Sequence, residues 1–296
     1  MSSPHSIVAT SADLPPAVAA ALDAPTAGWR TTISAAGYRF ASLAWGDPAA
    51  RPLLLIHGVT ASAATWWRMG PALAASGRHV VAPDLPGHGL TGGWRRRHRF
   101  AQTAADLVSF VRAAGLERPD LDVIGHSWGG LVAAALPAAG LRPRVLILLD
   151  PPALSLTYFE QYVRDPQEQP FTTLAEATSA IRVANPGWIE GDVHAKAEGL
   201  AQFQIPAARS AVLGNGDWDA GLAALSDPAA NGIPIWFIKG EARHGSMIPD
   251  AFVPAIAARV GADHVLTIRD GEHSPQRQRP EATLVAFLRA LADLDA

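Results

Sequence analysis

The sequence predicts an α/β protein whose mostly parallel central sheet is flanked by helices and carries an inserted helical cap. Apolar runs of strand length alternate with segments of helical spacing along most of the 296 residues, and this alternation is typical of parallel sheets covered on both faces. Hydrophobic residues make up 49% of the chain and charged residues 17%, which indicates a packed core. One long interval, residues 151–232, breaks the alternation and predicts the cap.

The first part of the core is predicted to cover residues 29–150, after an N-terminal arm of residues 1–28. The arm is rich in Ala, Pro and Ser, and we expect it to dock loosely. The first two strands form a hairpin around Ala36 and Gly37, and the third is a continuous apolar run, as expected of a strand buried on both faces. The strands predicted here are residues 29–34, 38–45, 53–56, 79–82, 121–124 and 145–149, and the helices are residues 63–75, 100–114 and 131–136.

The helical cap is predicted to follow the sixth strand. Residues 151–232 are too long for a simple crossover between two sheet strands and contain three helix-like pieces. Because sites in open α/β sheets form at the carboxyl ends of the strands, we expect the cap to cover that edge; a second subdomain without a functional role is the alternative. Residues 233–296 are predicted to complete the core, with strands at 235–238 and 264–268 and helices at 249–260 and 280–294.

Residues 122–130, DVIGHSWGG, contain the pattern Gly-x-Ser-x-Gly between an apolar run and a small, helix-like apolar segment. A strand, a tight turn and a helix in this order hold the turn residue, Ser127, in a strained conformation that lifts its side chain clear of the sheet. Gly125 and Gly129 flank it because a Cβ at either position is expected to clash with the neighbouring strand and helix. A serine in a glycine-rich turn without chemistry is the alternative.

Four segments, in this order, resemble the α/β-hydrolase fold superfamily, and the resemblance extends over residues 29–294. They are LLLIHG at residues 53–58, DLPGHG at 84–89, GHSWGG at 125–130 and GEH at 271–273. The resemblance implies the α/β-hydrolase fold and a branch similar to the serine esterases and lipases. The serine in the third segment argues against the branches with an aspartate nucleophile, namely the haloalkane dehalogenases and epoxide hydrolases.

Ser127 is the predicted nucleophile and His273 the predicted base. A serine hydroxyl is a poor nucleophile unless a neighbouring base takes its proton, and a histidine can take up and return a proton near neutral pH. His273 follows the last predicted strand, so its loop can turn back toward the serine. The competing histidines are His57, His79, His88, His126 and His244.

The acid that orients the base is predicted to be Asp150, with Glu241 as the alternative. Relatives commonly carry an aspartate in the loop after the penultimate strand, but Arg243 stands at that position here. Asp150 ends the strand 145–149, and some members of the superfamily take their acid from this place. A carboxylate there would hold the imidazole in the required tautomer and stabilise its charged form. A turn cap before Pro151 is the alternative role for Asp150.

By resemblance, the backbone N–H groups of Val59 and Trp128 are predicted to form an oxyanion hole. Arg182 in the cap is a candidate contact for a substrate carboxylate. Nine tryptophans are many for this length, so some are candidates for an apolar substrate pocket rather than for the core. The pocket candidates are Trp66, Trp67, Trp188 and Trp218, and core packing is the alternative for the first two.

These features predict a serine hydrolase that cleaves a carboxylic ester or a related acyl bond through an acyl-enzyme. The same residues serve other reactions in this fold, so two alternatives stay open: hydrolysis of a carbon–carbon bond in a diketone-like ring-cleavage (meta-cleavage) product, and hydrolysis of a lactone, amide or carbamate. A non-catalytic binding protein of the α/β-hydrolase fold is the hypothesis from another class. The expected partner is a small ester-like molecule, and the sequence leaves the oligomeric state open.

Composition excludes several other classes. The net charge of −3 argues against nucleic acid or an anionic membrane surface as a partner. No apolar stretch approaches the roughly 20 residues of a membrane helix, and no signal-peptide pattern is present, so a cytoplasmic protein is expected. Cysteine is absent, which excludes disulfides and thiolate sites, and no metal-ligand or dinucleotide fingerprint predicts a metal or a cofactor. The basic run of residues 94–99 is expected to be a solvated loop.

Overall fold

A nine-stranded sheet forms the centre of the protein in a computed structural model that describes residues 5–93, 98–165 and 168–292. The strand order is β1-β11-β10-β7-β6-β4-β5-β3-β2, and all pairings are parallel except β2 with β3 and β3 with β5. A separate antiparallel pair joins β8 and β9. The strands are β1 His5–Ile7, β2 Trp29–Ala35, β3 Tyr38–Trp45, β4 Arg51–Ile56, β5 Arg78–Pro83, β6 Asp122–His126, β7 Val145–Leu149, β8 Ala153–Leu154, β9 Trp218–Asp219, β10 Ile235–Lys239 and β11 Val265–Ile268.

Helices cover both faces of the sheet, as the apolar runs predict. The buried residues of β4 alternate between two core layers, with Leu54 in one layer and Leu53 in the other. Strands buried on both faces read as continuous apolar runs for this reason. The helices are α1 Pro16–Asp23, α2 Met69–Ala74, α3 Phe100–Ala113, α4 Trp128–Ala134, α5 Leu156–Tyr162, α6 Leu174–Ala184, α7 Glu190–Gln202, α8 Ile205–Leu213, α9 Leu222–Leu225, α10 Val253–Val260, α11 Pro275–Gln278 and α12 Pro280–Ala292.

The predicted α/β class and all eight predicted strands are confirmed, but two predicted helices are divided. Residues 249–260 form a short 3-10 turn, Asp250–Phe252, followed by α10. Residues 63–75 form a short 3-10 turn, Ala63–Trp66, followed by α2. Pro71 lies inside this stretch; it lacks an N–H group, and its ring would clash with the carbonyl four residues earlier. A single α-helix therefore cannot run through the whole segment.

The expectation of a loosely docked N-terminal arm is wrong for the described part of that segment. Strand β1 pairs in parallel with β11 at the edge of the sheet, and α1 buries Val18 and Leu22 in the core layer that also contains residues of α2. Three residues are too few for a periodic pattern, so the sequence does not mark β1 as a strand. Because β1 comes first, the cap follows the seventh strand of the chain rather than the sixth.

The described part of residues 151–232 carries five α-helices, α5 to α9, between β7 and β10. The pairing of β8 with β9 brings residues near the start of this segment next to residues near its end. Four parts of the chain that the sequence interpretation covers lie outside the described residues. They are residues 1–4 of the N-terminal arm, 94–97 of the basic run, 166–167 of the cap and 293–296 at the end of the core. Within the described ranges, no helix combines the length and the apolar character needed to cross a membrane.

The direction in which successive strands are added to the sheet reverses at its centre. Strands β4 and β6 are neighbours, β5 lies beyond β4, and β7 lies beyond β6. In open α/β sheets the crevice outside the carboxyl ends of the strands at such a reversal is where ligands bind. The loop of residues 57–59 follows β4 and Ser127 follows β6, so both lie at this crevice.

Candidate active site

Ser127 occupies a strained turn between β6 and α4. Its backbone has φ 54° and ψ −128°, a conformation that costs a non-glycine residue about 1–3 kcal/mol. Its N–H donates to the carbonyl of Leu149 at 2.9 Å. A Cβ on Gly125 would lie 2.3 Å from the carbonyl oxygen of Gly129, and a Cβ on Gly129 would lie 2.4 Å from that of His57. Both flanking glycines are therefore required sterically.

A hydrogen-bonded series joins Ser127, His273 and Asp150. The Ser127 Oγ lies 2.8 Å from His273 Nε2, and His273 Nδ1 lies 2.7 Å from Asp150 Oδ2. With Asp150 ionised, Nδ1–H donates to the carboxylate and Nε2 is left to accept the serine proton. The three residues come from the loops after β6, β11 and β7, so the parallel sheet brings their side chains to one edge.

The Asp150 carboxylate is fully buried and well supplied with donors. Besides His273, it accepts hydrogen bonds from Ser246 Oγ at 2.6 Å, Met247 N–H at 2.9 Å and Gly240 N–H at 3.1 Å. Burial acts to raise its pKa, but the hydrogen bond and charge of His273, followed by the bonds from Ser246 and Met247, lower the pKa below its ordinary value. Asp150 is therefore ionised at neutral pH. Nothing in the sequence marks Ser246 as a partner.

Glu241, the alternative candidate for the acid, has partners other than His273. Its Oε2 accepts hydrogen bonds from Asp270 N–H at 3.0 Å and from Arg243 Nη2 at 2.9 Å. Within the described ranges it makes no hydrogen bond to His273. The loop position at which relatives carry an aspartate thus holds Arg243, whose partner is Glu241, and the imidazole contacts Asp150 instead.

The two residues predicted to form the oxyanion hole belong to segments next to Ser127. Trp128 is the first residue of α4 and follows Ser127 directly. A Cβ on Gly58 would lie 3.1 Å from the Ser127 Cβ, so the loop that contains Val59 passes next to the nucleophile. His57 fixes this loop, because its Nε2 accepts from Leu85 N–H at 3.0 Å and its Nδ1 donates to the Gly58 carbonyl at 2.7 Å.

His126 holds the loop that carries His273, a contact that the sequence does not reveal. Its Nε2 donates to the backbone carbonyl of His273 at 2.9 Å, and the two rings lie 5.0 Å apart. Burial, together with the nearby His273, lowers the pKa of His126 to about 3. The imidazole therefore stays neutral and keeps this hydrogen bond throughout the neutral range.

Sequence comparison identifies the family to which this fold and this geometry belong. The model of the alpha/beta hydrolase family matches residues 53–287. The chain belongs to the alpha/beta hydrolase family. The resemblance seen in the four sequence segments is thereby confirmed.

Among the relatives of this alpha/beta hydrolase, epoxide hydrolase A of Mycobacterium tuberculosis is 36% identical over 100 residues, 32% of this chain and 30% of the relative. The magnesium-chelatase 30 kDa subunit of Rhodobacter capsulatus is 37% identical over 126 residues, 40% of this chain and 43% of the relative. Each match thus spans less than half of the relative. The solved structure of E-2-(acetamidomethylene)succinate hydrolase superposes with a TM-score of 0.73 at 18% identity, covering 91% of this chain and all of that one. At this level of identity, the similarity of the two structures shows that they share a fold.

A cavity of about 230 Å³ opens onto the Ser127 hydroxyl of this alpha/beta hydrolase. Its volume is somewhat below the roughly 300–1000 Å³ of typical ligand pockets, which favours a small ligand. Trp188 and Trp218 line it, and the Trp218 ring lies 4.0 Å from the ring of Phe159. The sequence did not single out several further lining residues, which are Phe159, Tyr162, Glu168, Asn185, Lys196 and Arg277.

Two of the four tryptophans predicted for the pocket lie elsewhere. Trp66 is fully buried in one of the two core layers and does not line the cavity. Trp67 packs against Gly191, and its Nε1 donates to Asp192 Oδ1 at 3.1 Å. The 3-10 turn and the break before α2 set the direction of these side chains, so helical spacing does not predict it. The cap residue Arg182 is also not a cavity contact, because it pairs with Glu190 on the surface at 2.8 Å.

One group within the described ranges has the composition of a metal site. Ligand atoms of Glu241, His244 and Asp270 lie within 4.8 Å of one another. The Arg243 Nη2 lies 2.9 Å from Glu241 and 3.7 Å from Asp270, so both carboxylates of this cluster already have an arginine beside them. We assign no metal to it.

Buried histidines are expected to make the stability of the fold depend on pH. Burial lowers the pKa of His57 and His98 to about 4 and that of His126 to about 3, and lowers the pKa of His88 well below its ordinary value. As the pH falls below about 6.5, these histidines take up protons in the unfolded chain before they do so in the native protein, and the free energy of unfolding decreases. The decrease ends near pH 4, where the native histidines also become protonated. Burial raises the pKa of Asp84 to about 6, so the native protein takes up one proton on this carboxyl in the same pH range. This uptake offsets about one of the protons that the unfolded chain gains.

We expect the free energy of unfolding in urea to fall steeply between about pH 6.5 and pH 4.5, by up to about 1.4 kcal/mol per pH unit for each uncompensated proton. The variant His98→Leu removes one buried histidine and is expected to make the slope shallower by about one proton. Ser109→Ala, which removes an exposed hydroxyl that does not titrate, serves as the control and is expected to keep the slope. Equal unfolding free energies at both ends of this range would contradict the expectation.

Proposed function

We propose that the protein is a serine hydrolase that cleaves a small carboxylic ester, or a related acyl bond, through an acyl-enzyme. The observation that carries this proposal is the series Ser127–His273–Asp150, with hydrogen bonds of 2.8 and 2.7 Å. The series lies at the carboxyl edge of the sheet, opens into a cavity, and has its serine on a strained elbow. Each of these features is expected of an activated nucleophile.

In the proposed reaction, His273 Nε2 takes the Ser127 proton while Oγ attacks the carbonyl carbon of the substrate. The negative charge that develops on the carbonyl oxygen is stabilised by the N–H groups of Val59 and Trp128. His273, now protonated, is stabilised by the ionised Asp150 and gives its proton to the leaving alcohol. The same imidazole then takes a proton from a water molecule, whose oxygen attacks the acyl-enzyme. The bond to Ser127 Oγ breaks, His273 returns the proton to Oγ, and the acid is released.

Several reactions could use the same residues, and among them we propose the hydrolysis of an ester. Hydrolysis of a lactone, an amide, a carbamate or a carbon–carbon bond would use the same serine and histidine. The similarity to an epoxide hydrolase covers 32% of this chain, and an elbow that carries Ser127 supports acyl transfer instead. No single contact in the cavity favours one of these other reactions, so we propose none of them as a second function.

The variant Ser127→Ala is expected to lower kcat for short 4-nitrophenyl esters on the order of 10⁴- to 10⁶-fold, because no nucleophile remains. The measurement is the release of 4-nitrophenolate by the wild type and the variant under identical conditions. Ser109→Ala, on the exposed face of α3, is the control and is expected to keep the wild-type rate. Turnover that survives in Ser127→Ala, or that is absent from the wild type with every ester, would overturn the proposal.

A further inference from the structure

Among the described residues, the side chains of one lysine and one arginine line the cavity, and they differ in their hydrogen-bond partners. The Lys196 Nζ lies 2.7 Å from Glu168 Oε2 and is thus paired. The Arg277 side chain is 14% exposed, and its guanidinium donates no hydrogen bond to any residue in the described ranges. Its closest carboxylate atom, Asp192 Oδ1, lies 3.9 Å from Nε. A guanidinium carries five N–H donors, so this cation has donors available toward the cavity.

The three carboxylates near Arg277 are held by other donors. Asp192 Oδ1 accepts from Trp67 Nε1 at 3.1 Å, Glu272 Oε2 accepts from Gln278 Nε2 at 3.0 Å, and Glu168 Oε2 accepts from Lys196. These acids compensate the charge of Arg277 through space, which offsets the lowering of its pKa by burial. They do not use its hydrogen-bonding capacity.

The guanidinium is also held in a fixed position. Its Cζ lies 3.9 Å from the centre of the Trp188 ring, which belongs to the cap. Arg277 itself comes from α11, four residues after His273. A guanidinium stacked on an aromatic ring and removed from water loses little freedom when it binds a planar anion. The cavity therefore contains one oriented cation. The core supplies the arginine, close to the predicted base, and the cap supplies the ring that holds it.

From this arrangement we infer that Arg277 binds a carboxylate of the substrate, so that the preferred substrates are anionic, namely esters that carry a free carboxylate besides the scissile bond. The inference rests on the proposed hydrolase function and specifies its substrate class. A carboxylate accepts two parallel hydrogen bonds from one guanidinium, and such charge-assisted pairs discriminate strongly against an uncharged group of the same size. The small volume of the cavity limits the ligand to a short chain between the carboxylate and the reacting carbonyl.

The test compares kcat/KM within two pairs of esters that differ in one carboxylate. The first pair, the 4-nitrophenyl monoester of glutaric acid and 4-nitrophenyl pentanoate, carries the charge on the acyl side. The second pair, carboxymethyl butyrate and ethyl butyrate, carries the charge on the alcohol side. Its hydrolysis is measured by titrating the acid that is released. In at least one pair we expect the wild type to prefer the anionic ester by about 10- to 100-fold, the range of a charged hydrogen-bonded pair.

In the variant Arg277→Gln this preference is expected to disappear, so that the ratio of kcat/KM between the anionic and the neutral ester falls to about one. Arg277→Lys keeps the charge but loses the planar fork, and is expected to give an intermediate preference. Arg182→Gln, which removes a surface arginine paired with Glu190, is the matched control and is expected to keep the wild-type ratio. Circular dichroism of each variant checks that the fold is retained.

The outcomes separate the two proposals. If both pairs are hydrolysed with the same ratio in the wild type, Arg277→Gln and Arg277→Lys, the carboxylate inference is overturned and the hydrolase proposal stands. If the wild type hydrolyses no ester in either pair, the proposed function itself fails. A preference for the neutral ester in both pairs would also overturn the inference.

Discussion

The variant Asp150→Asn is expected to lower kcat about 10⁴-fold, the effect typical of removing the acid that orients a catalytic histidine. Asp150 accepts four hydrogen bonds, from His273, Ser246, Met247 and Gly240. An asparagine of the same shape has no negative charge to stabilise the protonated imidazole. It also turns its NH₂ group toward one of the backbone N–H donors or toward His273, which disfavours the tautomer that accepts the serine proton.

The control for this prediction is Glu241→Gln. Glu241 is the carboxylate that the sequence leaves as the alternative acid, and its partners are Arg243 and Asp270. Exposed ion pairs of this kind contribute about 0–1 kcal/mol, so we expect kcat to stay within about twofold. The measurement is the steady-state rate of both variants with the same ester, after circular dichroism has shown that each is folded. A large loss in Glu241→Gln with little change in Asp150→Asn would reverse the assignment.

The variant Gly129→Ala is expected to destabilise the fold by about 3 kcal/mol or more. Its Cβ would lie 2.4 Å from the carbonyl oxygen of His57 and 2.6 Å from that of Ile56. Both atoms belong to the backbone at the end of β4, in the centre of the sheet, so no flexible side chain can move aside. Overpacking of a rigid core costs about 1–3 kcal/mol and occasionally more, and here the helix and the strand would have to separate.

Gly130→Ala is the matched control, one residue further along the same helix. Its Cβ would lie 3.1 Å from the Gly125 carbonyl oxygen and from the Pro151 Cβ, a tight contact that a small shift relieves. Alanine also gains about 1 kcal/mol over glycine in helix propensity. We therefore expect a change within about 1 kcal/mol in the free energy of unfolding, measured in urea. Equal stability of the two variants would contradict the steric account of the elbow.

The parts of the site that the sequence predicts best are those determined by local order along the chain. Ser127 stands between an apolar run and a helix-like segment, and Asp150 and His273 each follow a predicted strand. Parallel strands place all these positions at one edge of the sheet, so the fold class alone brings the three residues close together. The same logic predicts both core layers, because strands buried on two faces are recognisable from composition.

Features that depend on tertiary contacts were not predictable in this way. Strand β1 has three residues and acquires its structure by pairing with β11. The directions of Trp66 and Trp67 depend on the break imposed by Pro71, which spacing alone does not show. Ser246 and Arg277 become important only because loops distant in sequence meet Asp150 and Trp188. A polar residue in a loop carries no local signal of such a partner.

The identity of the nucleophile is tested most directly by covalent labelling. The wild-type protein is incubated with a fluorophosphonate probe, its intact mass is measured, and the modified peptide is sequenced by mass spectrometry. We expect one adduct per chain, located on Ser127, and much slower labelling of His273→Ala, because the imidazole at 2.8 Å activates the hydroxyl. An adduct on a different residue, or labelling of Ser127→Ala at the wild-type rate, would contradict the account.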